Sequence, residues 1–305
     1  MRTRPIPILK FPLLVLTEIV HTIPPDELVT LSLCSRRMHV IIKSESRHFS
    51  KVKLSVAADF DDPYHLLSMK TLDGEFHFPL RALPITEFKS ADRAEAVKIG
   101  GHVVLFVFPN PCDNDDIPKT YWEDPVLGFK KITEYVCNLF NLDIHELQIR
   151  RSNFWMMEWV QSRQKVLPAT IVTEDEALNA DEYQYVLSKS TSEHLMFLNV
   201  PPANFNPLDP FSSSAYLLIK HGGWVRVEHV QRMDCADILI KNSNMSRADL
   251  NIILKHILKH WLADSGFQRL KCLQILQGRL AGRADAFRDL GSKLISVKEE
   301  KRFVL

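Results

Sequence analysis

Glycine is scarce in this chain, at 10 of 305 residues, about half its usual frequency. None of the ten falls into G-x-G-x-x-G or G-x-x-x-x-G-K-[ST]. The two common glycine-rich phosphate cradles are therefore missing, and nucleotide chemistry loses its usual signature. Cysteine is sparse as well. Cys34, Cys112, Cys137, Cys235 and Cys272 include no C-x-x-C pair, so a structural zinc site is not expected. An odd, scattered set suits reduced thiols in the cytosol or nucleus. Charge of one sign is lacking: 38 Lys and Arg against 37 Asp and Glu leave a net +1. Such a chain has no bulk electrostatic reason to seek nucleic acid or an anionic membrane. Long apolar runs are missing too, and none approaches the roughly 20 residues of a membrane helix. Arg2 and Arg4 precede the apolar segment Phe11–Leu16, but Thr17 and Glu18 interrupt it, so it lacks the unbroken core of a secretory signal.

What remains is ordinary for a folded protein, with 46% hydrophobic and 25% charged residues. The length allows one large domain or two modest ones with a sizeable core. Residues 11–44 read as three short helices. Leu13, Leu16, Val20 and Ile23 share one helical face. Pro24 and Pro25 end that helix and open the next, which carries Leu28, Leu31 and Leu33. Ser35 is placed to cap a third helix with Met38, Ile41 and Ile42 on one face. A unit this short buries too little surface to be very stable alone. Its apolar surplus must be covered by the rest of the chain or by a partner.

The run Phe11-Pro12-Leu13-Leu14-Val15-Leu16, then Pro25-Asp26-Glu27-Leu28, then Leu31-Ser32-Leu33-Cys34-Ser35-Arg36-Arg37, resembles an F-box in order and spacing. Met38 stands where many F-boxes have an aromatic residue, and Phe11 replaces the usual Leu. The resemblance implies docking on the Skp adaptor of a cullin–RING ubiquitin ligase, as a non-catalytic receptor subunit. The adaptor-binding residues it suggests here are Pro12, Leu13, Leu14, Leu16, Ile19, Leu28, Leu31 and Cys34. For each, the competing role is an internal helix-to-helix contact.

Residues 50–110 read as a small antiparallel β unit. Its expected strands are Lys51–Val56, Glu75–Leu80 and His102–Phe108. Residues 109–119, rich in Pro and Asp, read as a loop and boundary. From about residue 125, helices alternate with short strands. Helices are expected over Phe129–Phe140, Trp155–Val166, Glu174–Leu187 and Leu250–Trp261. Strands are expected at Leu147–Ile149, Ala169–Thr173, Leu195–Leu198, Ala215–Ile219, Ile238–Ile240 and Leu270–Ile275. Strand–helix alternation implies parallel strands with helical crossovers. Short L-x-x-L-x-I strands suggest irregular leucine-rich-repeat-like stacking, with a layered α/β domain as the competing fold. Overall the fold class is α/β, α+β when the N-terminal helices are counted. The expected domains are an F-box at 9–47, a β-rich unit with its loop at 50–120, an α/β repeat region at 121–277 and a tail at 278–305.

A second resemblance rests on Tyr121–Gly128 with Ile132–Val136, and on Trp224, Met233-Asp234-Cys235, Asn242-Ser243, Asp249-Leu250-Asn251 and Arg269-Leu270-Lys271. Both sets resemble the conserved body of nematode F-box proteins, and the second set, from Trp224 onward, is similar to their type-2 F-box-associated domain. It implies capture of a target protein by the C-terminal half, with no cofactor or metal and target residues unassigned.

Enzymatic alternatives are thin. His256 and His260 are spaced i, i+4, but no Glu follows His256 as in a zincin. His221-Gly222-Gly223 resembles an esterase oxyanion turn, yet no G-x-S-x-G nucleophile exists in the chain. Cys34 and Cys235 read as inert thiols. Asp113–Asp116 lacks the spacing of a calcium loop.

Overall fold

A computed structural model describes residues 8–58, 65–89, 93–109, 117–207, 211–262 and 269–276. The acidic cluster at 113–116 and the tail at 278–305 lie outside the described residues. The chain divides into two compact units, Met1–Gln148 and Ile149–Leu305. This division falls well after the boundary expected at 120/121.

The first unit opens with three helices, α1 (Leu13–Thr22), α2 (Pro25–Cys34) and α3 (Arg36–Ser44). Ser35 caps α3 by accepting a hydrogen bond from the Met38 N–H at 3.4 Å, as its sequence position demands. Then come β1 (Lys53–Ala58), β2 (His65–Lys70), β3 (Phe76–His77), β4 (Arg81–Pro84), β5 (Ala94–Ile99), β6 (His102–Val107), β7 (Lys119–Trp122), α4 (Pro125–Phe140) and β8 (Ile144–Ile149). The expected antiparallel unit is instead two sheets of mixed direction. β1 pairs antiparallel with β2 but parallel with β8, and β3 extends β2. The second sheet runs β4-β7-β6-β5, with β4 and β7 parallel.

The motif Tyr121–Gly128 has a structural job in this unit. Asp124 caps α4, accepting from the N–H groups of Val126 at 2.9 Å and Leu127 at 3.2 Å. Pro125 fills the first helical position, where its missing N–H costs nothing. A side chain at Gly128 would meet the Trp122 ring at 2.5 Å. Trp122 itself is buried and donates to Thr120 Oγ1 at 2.8 Å. Packing of α4 on β4, β7, β2 and α3 is why the unit extends past the expected boundary.

The second unit contains α5 (Trp155–Arg163), β9 (Leu167–Val172), α6 (Ala180–Lys189), β10 (Ser192–Phe197), β11 (Ser214–Ile219), α7 (Val227–Arg232), β12 (Cys235–Ile240), α8 (Arg247–Leu262) and β13 (Cys272–Ile275). Its five strands lie side by side in chain order, all parallel. α6 begins at Ala180 rather than at Glu174, because Asn179 and Glu182 form the capping box that starts it. Ser246 and Asp249 start α8 in the same way.

From β9 to β12 each strand buries its first, fourth and sixth residues. The sixth positions align across the sheet as Val172, Phe197, Ile219 and Ile240, with Ile275 next. The first positions take small polar groups from β10 onward. Ser192 Oγ lies 2.5 Å from Thr170 Oγ1, and Ser214 Oγ lies 3.1 Å from Cys235 Sγ. Just past each strand the next N–H continues the pairing. Leu198 donates to Val172 at 2.9 Å, Lys220 to Phe197 at 2.8 Å, Lys241 to Ile219 at 2.8 Å and Leu276 to Ile240 at 2.8 Å.

Candidate functional site

The first candidate surface is the N-terminal end of α1. Pro12 enters the helix in an extended conformation, and its carbonyl accepts from the Leu16 N–H at 3.1 Å. Only Leu16 and Val20 of α1 are buried. Leu13 is 61% exposed and Leu14 74%. Phe11 and Val15 are exposed beside them. Five consecutive apolar residues, Phe11–Val15, therefore stand in solvent where a folded chain would ordinarily hide them.

The eight expected docking residues divide on this geometry. Pro12, Leu13, Leu14 and Cys34 are exposed, and Ile19 and Leu31 are half-buried. Leu16 and Leu28 are 0% exposed. These two are removed from the docking set, because they fill the interior of the helical unit. Their spacing fitted both uses, and a sequence does not say which side of a three-helix unit is the inner one.

The helices are held from behind by α4. Tyr135 Oη lies 2.7 Å from Ser32 Oγ on α2 and 3.1 Å from a His39 ring nitrogen on α3. Lys43 Nζ donates to Asn138 Oδ1 at 2.5 Å. On another side, Asp26 pairs with His77 at 3.0 Å. The exposed end of α1 is thus presented on a braced platform. Burial, and then the Glu95 carboxylate, push the Cys34 thiol up, which disfavours a reactive thiolate. Burial does the same to Cys235.

The second candidate is a pocket of about 540 Å³ in the second unit. It lies past the C-terminal ends of β10, β11 and β12, where parallel sheets commonly present ligand sites. Asn204, Phe205, His221, Trp224, Arg226 and Asn242 contribute to its lining. Its base is aromatic: the Phe205 and Trp224 rings meet edge to face at 5.1 Å, and Phe205 lies 4.7 Å from Tyr183. Asn204 and Asn242 adopt left-handed backbone angles, φ 58° and 51°, which Asn tolerates better than most side chains. The Asn242 amide donates to the Lys220 carbonyl at 3.1 Å, and the Asn244 amide to Gly223 at 3.2 Å. Gly222 is needed for close approach, since a Cβ there would sit 2.3 Å from Ile240 Cγ2 and 2.9 Å from the Lys241 carbonyl oxygen.

Sequence reasoning weighed His221-Gly222-Gly223 as an esterase-like oxyanion turn and missed this pocket. The available signal was the polar cluster recurring just past the strand ends: Asn204, His221 and Asn242. The His256 and His260 rings lie tilted to one another, with centroids 4.3 Å apart. Among the described residues no three His, Cys, Asp or Glu side chains converge as a metal site. Likewise, no helix is long and apolar enough to cross a membrane.

Residues 8–50 match the F-box domain, and residues 202–275 match the F-box associated domain family. The second match spans β11 to β13 and covers most of the pocket lining. The chain is similar to the Skn-1 dependent zygotic transcript 15 protein of Caenorhabditis elegans, with 23% identity over 273 residues, covering 84% of this chain and 75% of that protein. No solved structure matches. The chain therefore carries an F-box domain followed by an F-box-associated domain, on a mixed α/β fold.

Proposed function

We propose that this protein is a substrate-recognition subunit of an SCF-type cullin–RING ubiquitin ligase. The observation that carries the reading is the exposed Phe11–Val15 segment on a domain of the F-box family. F-box domains generally bind a Skp adaptor, and this segment supplies the apolar anchors. Burying a leucine side chain is worth about 1.5–3 kcal/mol. Leu13 and Leu14 can thus dominate an interface of the usual ~1,600 Å². Pro12, Ile19, Leu31 and Cys34 surround them in the proposed contact.

The second unit is the target-binding arm. Its parallel strands in chain order, with the same three positions buried from β9 to β12, support a leucine-rich-repeat-like stack of uneven repeat length. Ile219 and Ile240 stand 21 residues apart, but Ile240 and Ile275 stand 35 apart. The chain contributes no chemistry of its own. It raises the local concentration of target lysines near a ubiquitin-charged enzyme, in the cytoplasm or nucleus.

The test is reconstitution with a Skp adaptor, cullin and RING subunit. The wild-type chain should bind the adaptor and direct ubiquitin onto a captured target, and Leu14→Asp should abolish both. Adaptor binding without ubiquitin transfer to any target would leave an adaptor-binding interaction module. Undiminished adaptor binding by Leu14→Asp combined with Leu31→Asp would overturn the docking assignment.

A further inference from the structure

Nothing in the receptor reading says what the second unit recognises. We propose that the pocket past the ends of β10, β11 and β12 binds a carboxylate side chain, Asp or Glu, on a peptide segment of the target. The proposal rests on the receptor reading and names the chemistry of its target site.

Three observations carry it. First, the pocket is cationic. Arg226 and His221 line it, and among the described residues no carboxylate does. Glu174 lies near His221, but Lys220 already pairs with it. Second, Arg226 is exposed, and its guanidinium makes no ion pair among the described residues. A guanidinium presents a planar fork of donors that fits a carboxylate by two parallel bonds. Third, the surrounding groups are fixed. Asn242 is tied to the strand end by its amide bond to Lys220, and the aromatic base is packed ring against ring. Among these groups little side-chain ordering is left to oppose binding, while Arg226 itself must still be ordered.

Charge balance selects the occupant. One full positive charge matches one carboxylate, whereas a dianionic phosphate normally recruits a cluster of arginines. The apolar lining of Phe205 and Trp224 suits the carbon stem of Asp or Glu and the flanking peptide.

The experiment pans the full-length chain against a displayed random peptide library. The enriched sequences are then synthesised with acetylated N-termini and amidated C-termini, so that only side chains carry charge. Asp or Glu should recur at one fixed position. Replacing it with Asn or Gln should weaken binding about ten- to a hundredfold, and Arg226→Gln should lose the same factor. With Arg226→Gln in place, the peptide change should cost nothing further. Arg226→Lys should fall between, having the charge without the fork. Arg226 is exposed, so melting temperatures of both variants should match the wild type.

Failure to enrich any peptide, a consensus without a fixed acidic position, or wild-type affinity in Arg226→Gln would each overturn the proposal. So would tighter binding of a phosphoserine peptide, or binding that needs a free C-terminus. The receptor reading is scored separately by adaptor-dependent ubiquitin transfer, which can succeed while the pocket assignment fails.

Discussion

Leu14 and Leu16 sit two positions apart on one helix, yet they should respond in opposite ways to substitution. Leu14 is 74% exposed and Leu16 0%. Leu14→Asp should leave the unfolding free energy within about 0.5 kcal/mol of wild type while adaptor binding disappears. Leu16→Ala should cost about 2–5 kcal/mol through the cavity it opens, measured by denaturant unfolding. If Leu14→Asp destabilised the chain as strongly as Leu16→Ala, the exposed segment would not be a free docking surface. The helical stripe Leu13, Leu16, Val20 and Ile23 was legible in the sequence because 3.6-residue periodicity marks a face. Which of those leucines point inward was not legible. A leucine that faces a partner and one that faces the core have the same side chain, and only packing separates them.

Titration gives a second prediction at this scale. Burial pushes the His65 imidazole down to about 4. Between about pH 6.5 and 4 the unfolded chain therefore takes up a proton that the folded chain refuses. Stability from this group is present above pH 6.5 and is lost as the pH falls toward 4. Burial lowers His39 and His229 as well, so they act in the same direction. Urea midpoints at pH 7.5, 6 and 5 should fall in that order, and His65→Gln should flatten the slope.

At the scale of elements, α4 is the brace that fixes the F-box helices, and Tyr135 is its contact with two of them. Tyr135→Phe removes the bonds to Ser32 and His39. Ser32 keeps its 2.6 Å bond to the Val29 carbonyl, so it is not orphaned. The cost should be about 1 kcal/mol, visible as a lowered melting temperature with adaptor affinity largely retained. Gly222→Ala should be more severe in the second unit. Its Cβ would overlap both Ile240 and the Lys241 backbone, and overpacking of this kind costs about 1–3 kcal/mol.

Elements with strong periodicity were readable from the sequence: α4, α8 and the short strands of the second unit. β2 and β5 were not. β2 buries three residues in a row, Leu67, Ser68 and Met69, so it shows no alternation. β5 reads Ala-Glu-Ala-Val-Lys-Ile and lies at the edge of its sheet, where half its surface needs no apolar cover. The pocket was hidden for a different reason. Its lining comes from three separate connections, and only the parallel stacking of β10, β11 and β12 brings them together.

For the whole molecule, the two candidate surfaces belong to different compact units. Leu14→Asp should abolish adaptor binding and leave the affinity of library-derived peptides unchanged. Arg226→Gln should leave adaptor binding unchanged and weaken those peptides about ten- to a hundredfold. Ubiquitin transfer to a captured target should fail with either change alone, because a receptor needs both grips at once. Calorimetry with each ligand in turn reads the first two effects, and the reconstituted ligase reads the third.

The hydroxyl and thiol groups buried at Thr170, Ser192, Ser214 and Cys235 add little cohesion compared with the leucines and isoleucines beside them. Their contribution is fidelity during assembly. Were one strand to dock a residue out of step, these groups would face hydrocarbon without a partner, at a penalty of about 1–3 kcal/mol for each. The mispaired stack would be rejected by a few small side chains acting as a checksum.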